Sequence, residues 1–151
     1  KATNINIHEL FENTHTITFQ SREINVLDPE YQFLAHCAHM AYGHQYDRLV
    51  WLLDTLMIFK SIHDPDKWQV IINKSREYKI EMAVYYSFFL MQKLFGENIP
   101  ETIKQALSPR RIIHRIYPLV FPPKQIMNKP SSIRKIRQSI IRQGLKYDYE
   151  T

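Results

Sequence analysis

Apolar and polar residues alternate at Ile5/Ile7 in "TNINIHEL" and at Ile17/Phe19 in "HTITFQ", the period of half-buried strands. After Leu27 the apolar spacing becomes three and four, and helix punctuation takes over. Asp28-Pro29-Glu30 predicts a helix start, with Asp28 capping free amides, Pro29 at the first helical position and Glu30 complementing the dipole. This helix should run to about Tyr42 and stop at Gly43. A second, over about Tyr46 to Ile62, is apolar nearly all round, the mark of a central buried helix. Asp64-Pro65 repeats the start signal for a third helix, to about Tyr78. "EMAVYYSFFLMQKLF" gives a fourth, ending at Gly96, and Pro100 opens a short fifth. "PRRIIHRIYPLV" gives another short helix before Pro118, Pro122 and Pro123. "SSIRKIRQSIIRQG" closes the series as a basic amphipathic helix, capped by Ser131 or Ser132 and stopped near Gly144.

The pattern predicts a mainly α protein, a bundle of about five to seven helices with two short N-terminal strands. Two strands alone are marginal, so they either join a larger sheet or pack on the helices. The divisions that follow are 1–26 (strand pair), 27–107 (helical domain) and 108–151 (basic helical extension). With 151 residues and 44% apolar content, the chain can bury a real core. No apolar run approaches the roughly 18–20 residues that cross a bilayer, and no signal-peptide pattern opens the chain. The single cysteine excludes an internal disulfide framework, so a cytoplasmic setting is the natural expectation. The chain opens on Lys1 and soon reads as strand, as a cut inside a larger protein would, or a processed product.

Charge is unevenly placed. Lys1 to Ile103 carry 9 basic and 13 acidic residues, and Lys104 to Thr151 carry 11 basic and 2 acidic. A basic C-terminal third points to an anionic neighbour such as nucleic acid, a nucleotide, a membrane surface or an acidic protein face, or else to a solvated tail.

Candidate chemistry concentrates in "HCAHMAYGHQYDRLVWLLDT", residues His36 to Thr55. On the first helix His36 and His39 share a stripe opposite the apolar arc; on the second, Asp47 and Asp54 fall on one line while Arg48 sits on another face. Asp54 among Leu52, Leu53, Leu56 and Met57 needs a partner from elsewhere, because an unpaired buried carboxylate costs several kcal/mol. A metal site of His36, His39, His44 and Asp54 lacks the HExxH arrangement or any cysteine pair. A His-Asp phosphohydrolase is suggested by His63-Asp64, but Asp64 is better explained as a helix cap. The remaining reading is a His39–Asp54 hydrogen bond that clamps the first two helices. Cys37 falls on the apolar arc, where thiols are inert, and no serine sits in a nucleophile elbow.

"LDPEYQFLAHCAHMAYGHQYDRLVWLLDTLMIF", followed by "DKWQVIINKSREYKI" and "LFGENIP", resembles the C-terminal helical half of a bacterial family, the uncharacterised nucleotidyltransferases. Leu27 to Glu30, His39, Arg48-Leu49, Trp51-Leu52, Asp54 and Trp68 fill its pattern, up to about Leu107. The resemblance implies a superfamily in which a Gly-Ser turn and an Asp-x-Asp pair hold two divalent metals and a nucleoside triphosphate, with a third carboxylate from a neighbouring strand. Mg²⁺ takes hard oxygen ligands, and two such ions clamp the attacking and leaving oxygens of an in-line displacement. This chain shows neither the Gly-Ser turn nor the Asp-x-Asp pair of that site. Asn6, in Ile5-Asn6-Ile7-His8, falls at the third-carboxylate position, and an amide brings no negative charge. The resemblance therefore implies a catalytically incomplete chain whose partner is an N-terminal catalytic half, with His39, Arg48 and Asp54 as substrate-binding candidates and Arg48 on phosphate. It assigns no metal ligand within this chain.

Beyond that match, "PSSIRKIRQSIIRQGLKYDYE" spaces Ile133, Ile136 and Ile140 on one helical face with Arg134, Lys135 and Arg142 off it. With Arg110, Arg111 and Arg115 it could follow phosphates, and Tyr117, Tyr147 and Tyr149 could stack on bases. The alternative to a nucleotidyltransferase part is thus a non-catalytic helical module that binds an acidic partner or nucleic acid through its basic third.

Overall fold

A computed structural model describes residues 4–108, 116–119 and 121–123. Its elements are α1 (Ile7–Glu12), β1 (Thr14–Phe19), β2 (Arg22–Leu27), α2 (Pro29–Ala38) with a π-helical turn at His39–Gly43, α3 (Leu49–Ser61), α4 (Pro65–Glu77), α5 (Glu81–Phe95) and α6 (Glu101–Leu107). The architecture is mainly α with two short antiparallel strands, as the periodicity predicts. The final basic helix predicted from Ser131 onward lies outside the described residues; of the preceding short one, 116–119 are helical.

The alternation at Ile17/Phe19 is β1, but the other strand is not where the alternation placed it. Ile5 and Ile7 do not begin a strand, because Asn6 caps a helix: its side chain accepts from the His8 amide at 3.1 Å, and α1 follows. The partner of β1 is β2, in a hairpin that pairs Thr14 with Leu27 and Phe19 with Arg22. Gln20 and Ser21 make its two-residue turn, both at positive φ, which matches the twist of the flanking strands. Most of the hairpin is exposed, including Ile17, Phe19 and Ile24.

Glu9 fastens α1 to the bundle. It pairs with Lys74 and accepts from the buried Tyr78 hydroxyl at 2.6 Å. The Asn4 amide also donates to the Tyr78 carbonyl at 3.0 Å.

In the bundle α2 packs on α3, α4 and α5, and α6 closes over α4 and α5. Phe33 stacks on Phe88 with ring centroids 5.3 Å apart, while Trp68 meets Phe33 edge-on at 6.1 Å. Offset and edge-on pairs of this kind contribute beyond their buried area. Glu30 is buried yet satisfied by Lys67 Nζ at 2.9 Å, which ties α2 to α4. A second aromatic group joins Tyr46, Tyr86, Tyr117 and Phe121.

Two helix starts differ in detail. Asp64 caps α4 through the Asp66 amide at 2.9 Å, as expected. Asp28 makes no side-chain cap; its carboxylate meets His15 Nδ1 at 2.8 Å and binds the hairpin to the start of α2. Helix α3 begins at Leu49, not Tyr46, because Gln45 and Tyr46 both hold left-handed backbone angles (φ 53° and 56°) that an α-helix excludes. Nor is α3 buried all round: Val50, Leu53 and Met57 are 52%, 41% and 67% exposed. Gly96 stops α5 at φ 70°, the left-handed cap that glycine adopts without strain.

Candidate functional site

The candidate residues gather where α2 ends and α3 begins. Over His39–Gly43 the helix widens, and the His44 amide donates to the His39 carbonyl five residues back, at 3.2 Å. Residues five apart lie on different sides of an α-helix, but the π-turn brings these two rings together. Their Nε2 atoms are 3.0 Å apart. Trp51 completes the group, stacked on His44 at 4.8 Å and edge-on to His39 at 5.1 Å. Gly43 lies close beside them: a Cβ there would stand 3.3 Å from His39 Nδ1, so the ring would have to give by a few tenths of an ångström.

Asp47 lies behind His44, with Oδ1 3.8 Å from Nδ1. That separation is too long for a hydrogen bond, and the carboxylate oxygen is buried without a hydrogen-bond partner. The Trp51 indole N–H and both ends of the Gln45 amide are buried and unpaired as well. Unsatisfied polar atoms are rare in native cores, and here they fall on three residues of one turn and helix start. The left-handed pair Gln45–Tyr46 adds backbone strain to the same segment.

His39 and Asp54 do not form the expected clamp. The ring nitrogen of His39 is engaged by His44, and Asp54 makes no hydrogen bond or ion pair among the described residues. The electrostatic neighbour of Asp54 is His36, across the α2–α3 seam. Burial holds the His36 imidazole below its usual value of 6.5, and the Asp54 carboxylate opposes that shift. Arg48 is exposed at the N-cap of α3, which has no side-chain cap. His39, His44, Trp51 and Arg48 therefore share one end of the bundle, while Asp54 sits a turn further along α3. Sequence reasoning had both histidines but missed Trp51 as their platform, because the stacking follows from the π-turn and not from helical spacing.

Asn6 is engaged in the α1 cap. The one Asp-x-Asp spacing in the chain, Asp64-Pro65-Asp66, is a helix N-terminus in which Asp64 caps Asp66. A divalent ion of the kind used in nucleotidyl transfer takes several carboxylate oxygens. Glu9, Asp28 and Glu30 are paired with Lys74, His15 and Lys67. Among the described residues no group of three or more His, Cys, Asp or Glu side chains could hold a metal ion. These residues do not fit a two-metal centre. A half-open cavity of about 360 Å³ lies elsewhere, between α5 and α6, against Tyr85, Phe89, Gln92, Ile99 and Lys104. Among the described residues no helix is long and apolar enough to cross a membrane.

The fold and this cluster define a helical domain carrying a hairpin at one end and a histidine–tryptophan group at another. Residues 1–96 match the family model described as uncharacterised nucleotidyltransferase, and the chain belongs to that family. No curated protein and no solved structure matches it.

Proposed function

We propose that this chain is the helical part of a nucleotidyltransferase-like protein and that transfer needs a catalytic half not contained in it. Family membership over 1–96 supports the class. The observation that carries the division of labour is the fate of the aspartates: the only Asp-x-Asp spacing is a helix cap, and no Gly-Ser turn occurs. Mg²⁺ and a nucleoside triphosphate then belong to carboxylates outside this chain. The hairpin is the element that would join the catalytic sheet, since its edges are unpaired and Ile17, Phe19 and Ile24 are exposed among the described residues.

In this reading His39 and Arg48 are the groups offered to an anionic substrate, Arg48 as a guanidinium on phosphate and His39 as an imidazole set by His44. Asp54 acts through His36, on the position of α2 against α3. The test is incubation of the 151-residue chain with Mg²⁺ and labelled nucleoside triphosphates. No transfer is expected from the chain alone, and transfer by it overturns the proposal. In a polypeptide that also carries the catalytic half, Arg48→Ala should raise KM for the nucleotide more than it lowers kcat.

A second reading has its own observation, the excess of 11 basic over 2 acidic residues after Ile103. It makes the chain a non-catalytic module for nucleic acid or an acidic partner. Binding to generic nucleic acid that falls steeply with salt, and is lost on removing Ser131 to Thr151, would favour it.

A further inference from the structure

Helix α3 carries an apolar stripe that nothing among the described residues covers. Val50, Leu53 and Met57 lie at spacings of three and four and are all exposed. Asp54 borders the same stripe with no hydrogen bond or ion pair of its own. A surface of this make-up, apolar with an acidic margin, fits an apolar ridge flanked by cations.

We propose that the stripe is covered by the chain's own basic segment, Ser131 to Gln143. Ile133, Ile136 and Ile140 supply a ridge of matching three- and four-residue spacing, and Arg134, Lys135, Arg137 and Arg142 flank it. The charges are complementary at Asp54, which lies on α3 beside Leu53 and Met57, and the segment contains no acidic residue. The hairpin is the competing apolar face, but Arg22 shares its side with Ile17, Phe19 and Ile24, and the carboxylate at that side, Asp28, is already paired with His15. The exit point also suits α3. Phe121 packs on Tyr46, just before that helix begins, with centroids 5.7 Å apart. The ten residues from Pro123 to Ile133 reach up to about 33 Å when extended, and α3 is only about 20 Å long.

The test uses the full chain, in which Cys37 is the only cysteine and is buried. In Met57→Cys, maleimide labelling should be about tenfold slower than in the same chain carrying Ile133→Glu, Ile136→Glu and Ile140→Glu, because labelling follows the undocked population. High salt should narrow the difference. A Phe19→Cys chain should label at one rate with or without the three glutamates. An oxidised Met57→Cys/Ile136→Cys pair should cross-link within one chain. Equal labelling of Cys introduced at position 57 in both backgrounds overturns the proposal. So does a cross-link found only between two copies, which would assign the stripe to a second chain. A change confined to the position-19 probe would move the segment to the hairpin and overturn it equally.

Discussion

The Nε2 atoms of His39 and His44 stand 3.0 Å apart over the face and edge of Trp51, so one imidazole donates to the other and the indole holds both. Removing either ring strips Trp51 of a neighbour and leaves a polar nitrogen unpaired. His39→Ala should cost about 1 kcal/mol, the scale of an aromatic contact with a partly exposed hydrogen bond. Urea unfolding measures that loss, and Trp51 emission, read in a Trp68→Phe background, should shift with it. Gly43→Ala should give a smaller loss of the same kind, because its Cβ presses on His39 Nδ1.

Stability should fall in two stages as pH is lowered. The His36 imidazole is held below 6.5 by burial. Between its two values the unfolded chain binds more protons than the folded one. Its stabilising contribution is therefore complete above pH 6.5 and is lost as pH falls from there through the folded value. Glu9 follows at lower pH. Its hydrogen bonds from Lys74 and then Tyr78 hold its carboxyl below 4.5, so that contribution is present above 4.5 and disappears as the carboxylate is protonated. Asp54→Asn should lower the His36 titration midpoint further, as followed by NMR of the imidazole ring. Tyr78→Phe should cost about 1–2 kcal/mol and weaken the second stage alone, by urea unfolding at each pH.

The helix ends were legible where one residue type forces the backbone. Asp64-Pro65 starts α4, Gly96 ends α5 and Pro100 precedes α6, each by a local conformational rule. The first twelve residues were not. Alternation of Ile5 and Ile7 over so short a run does not separate strand from helix, and the Asn6 cap decided it. At the site, His39, Arg48 and Asp54 were visible as residue types, but their partners were set by two departures from helical geometry. The π-turn delivers His44 to His39, and the left-handed Gln45–Tyr46 pair delays α3 by three residues. Neither has a glycine or proline to announce it within that turn, apart from Gly43 at its edge. Amphipathic reading also failed on α3, where a face of Val50, Leu53 and Met57 stays outward.

Cys37 should be silent in the folded chain. It is buried beside Ser87, and desolvation pushes its thiol up to about 12, so almost no thiolate forms at neutral pH. Ellman's reagent should leave it unmodified in buffer and titrate one thiol in 6 M guanidinium. Rapid labelling in buffer would place Cys37 at the surface and displace α2 from α5.

The hairpin turn offers a gain. Gln20 and Ser21 both hold positive φ, 47° and 62°, in a two-residue loop whose preferred residues are Asn and Gly. Side chains with a Cβ are strained there and glycine is not. Gln20→Asn with Ser21→Gly should stabilise the hairpin by about 1 kcal/mol. Both strands lie mostly in solvent, and the direct tie from their pairing edge to the helices is the His15–Asp28 bond at 2.8 Å. The gain should therefore stay local: amide exchange across Thr14–Phe19 and Arg22–Leu27 should slow about fivefold, with the global unfolding midpoint nearly fixed. A rise in the midpoint equal to the local gain would mean that hairpin and bundle unfold together. The hairpin would then have to be counted as part of the helical core and not as an arm available to another sheet.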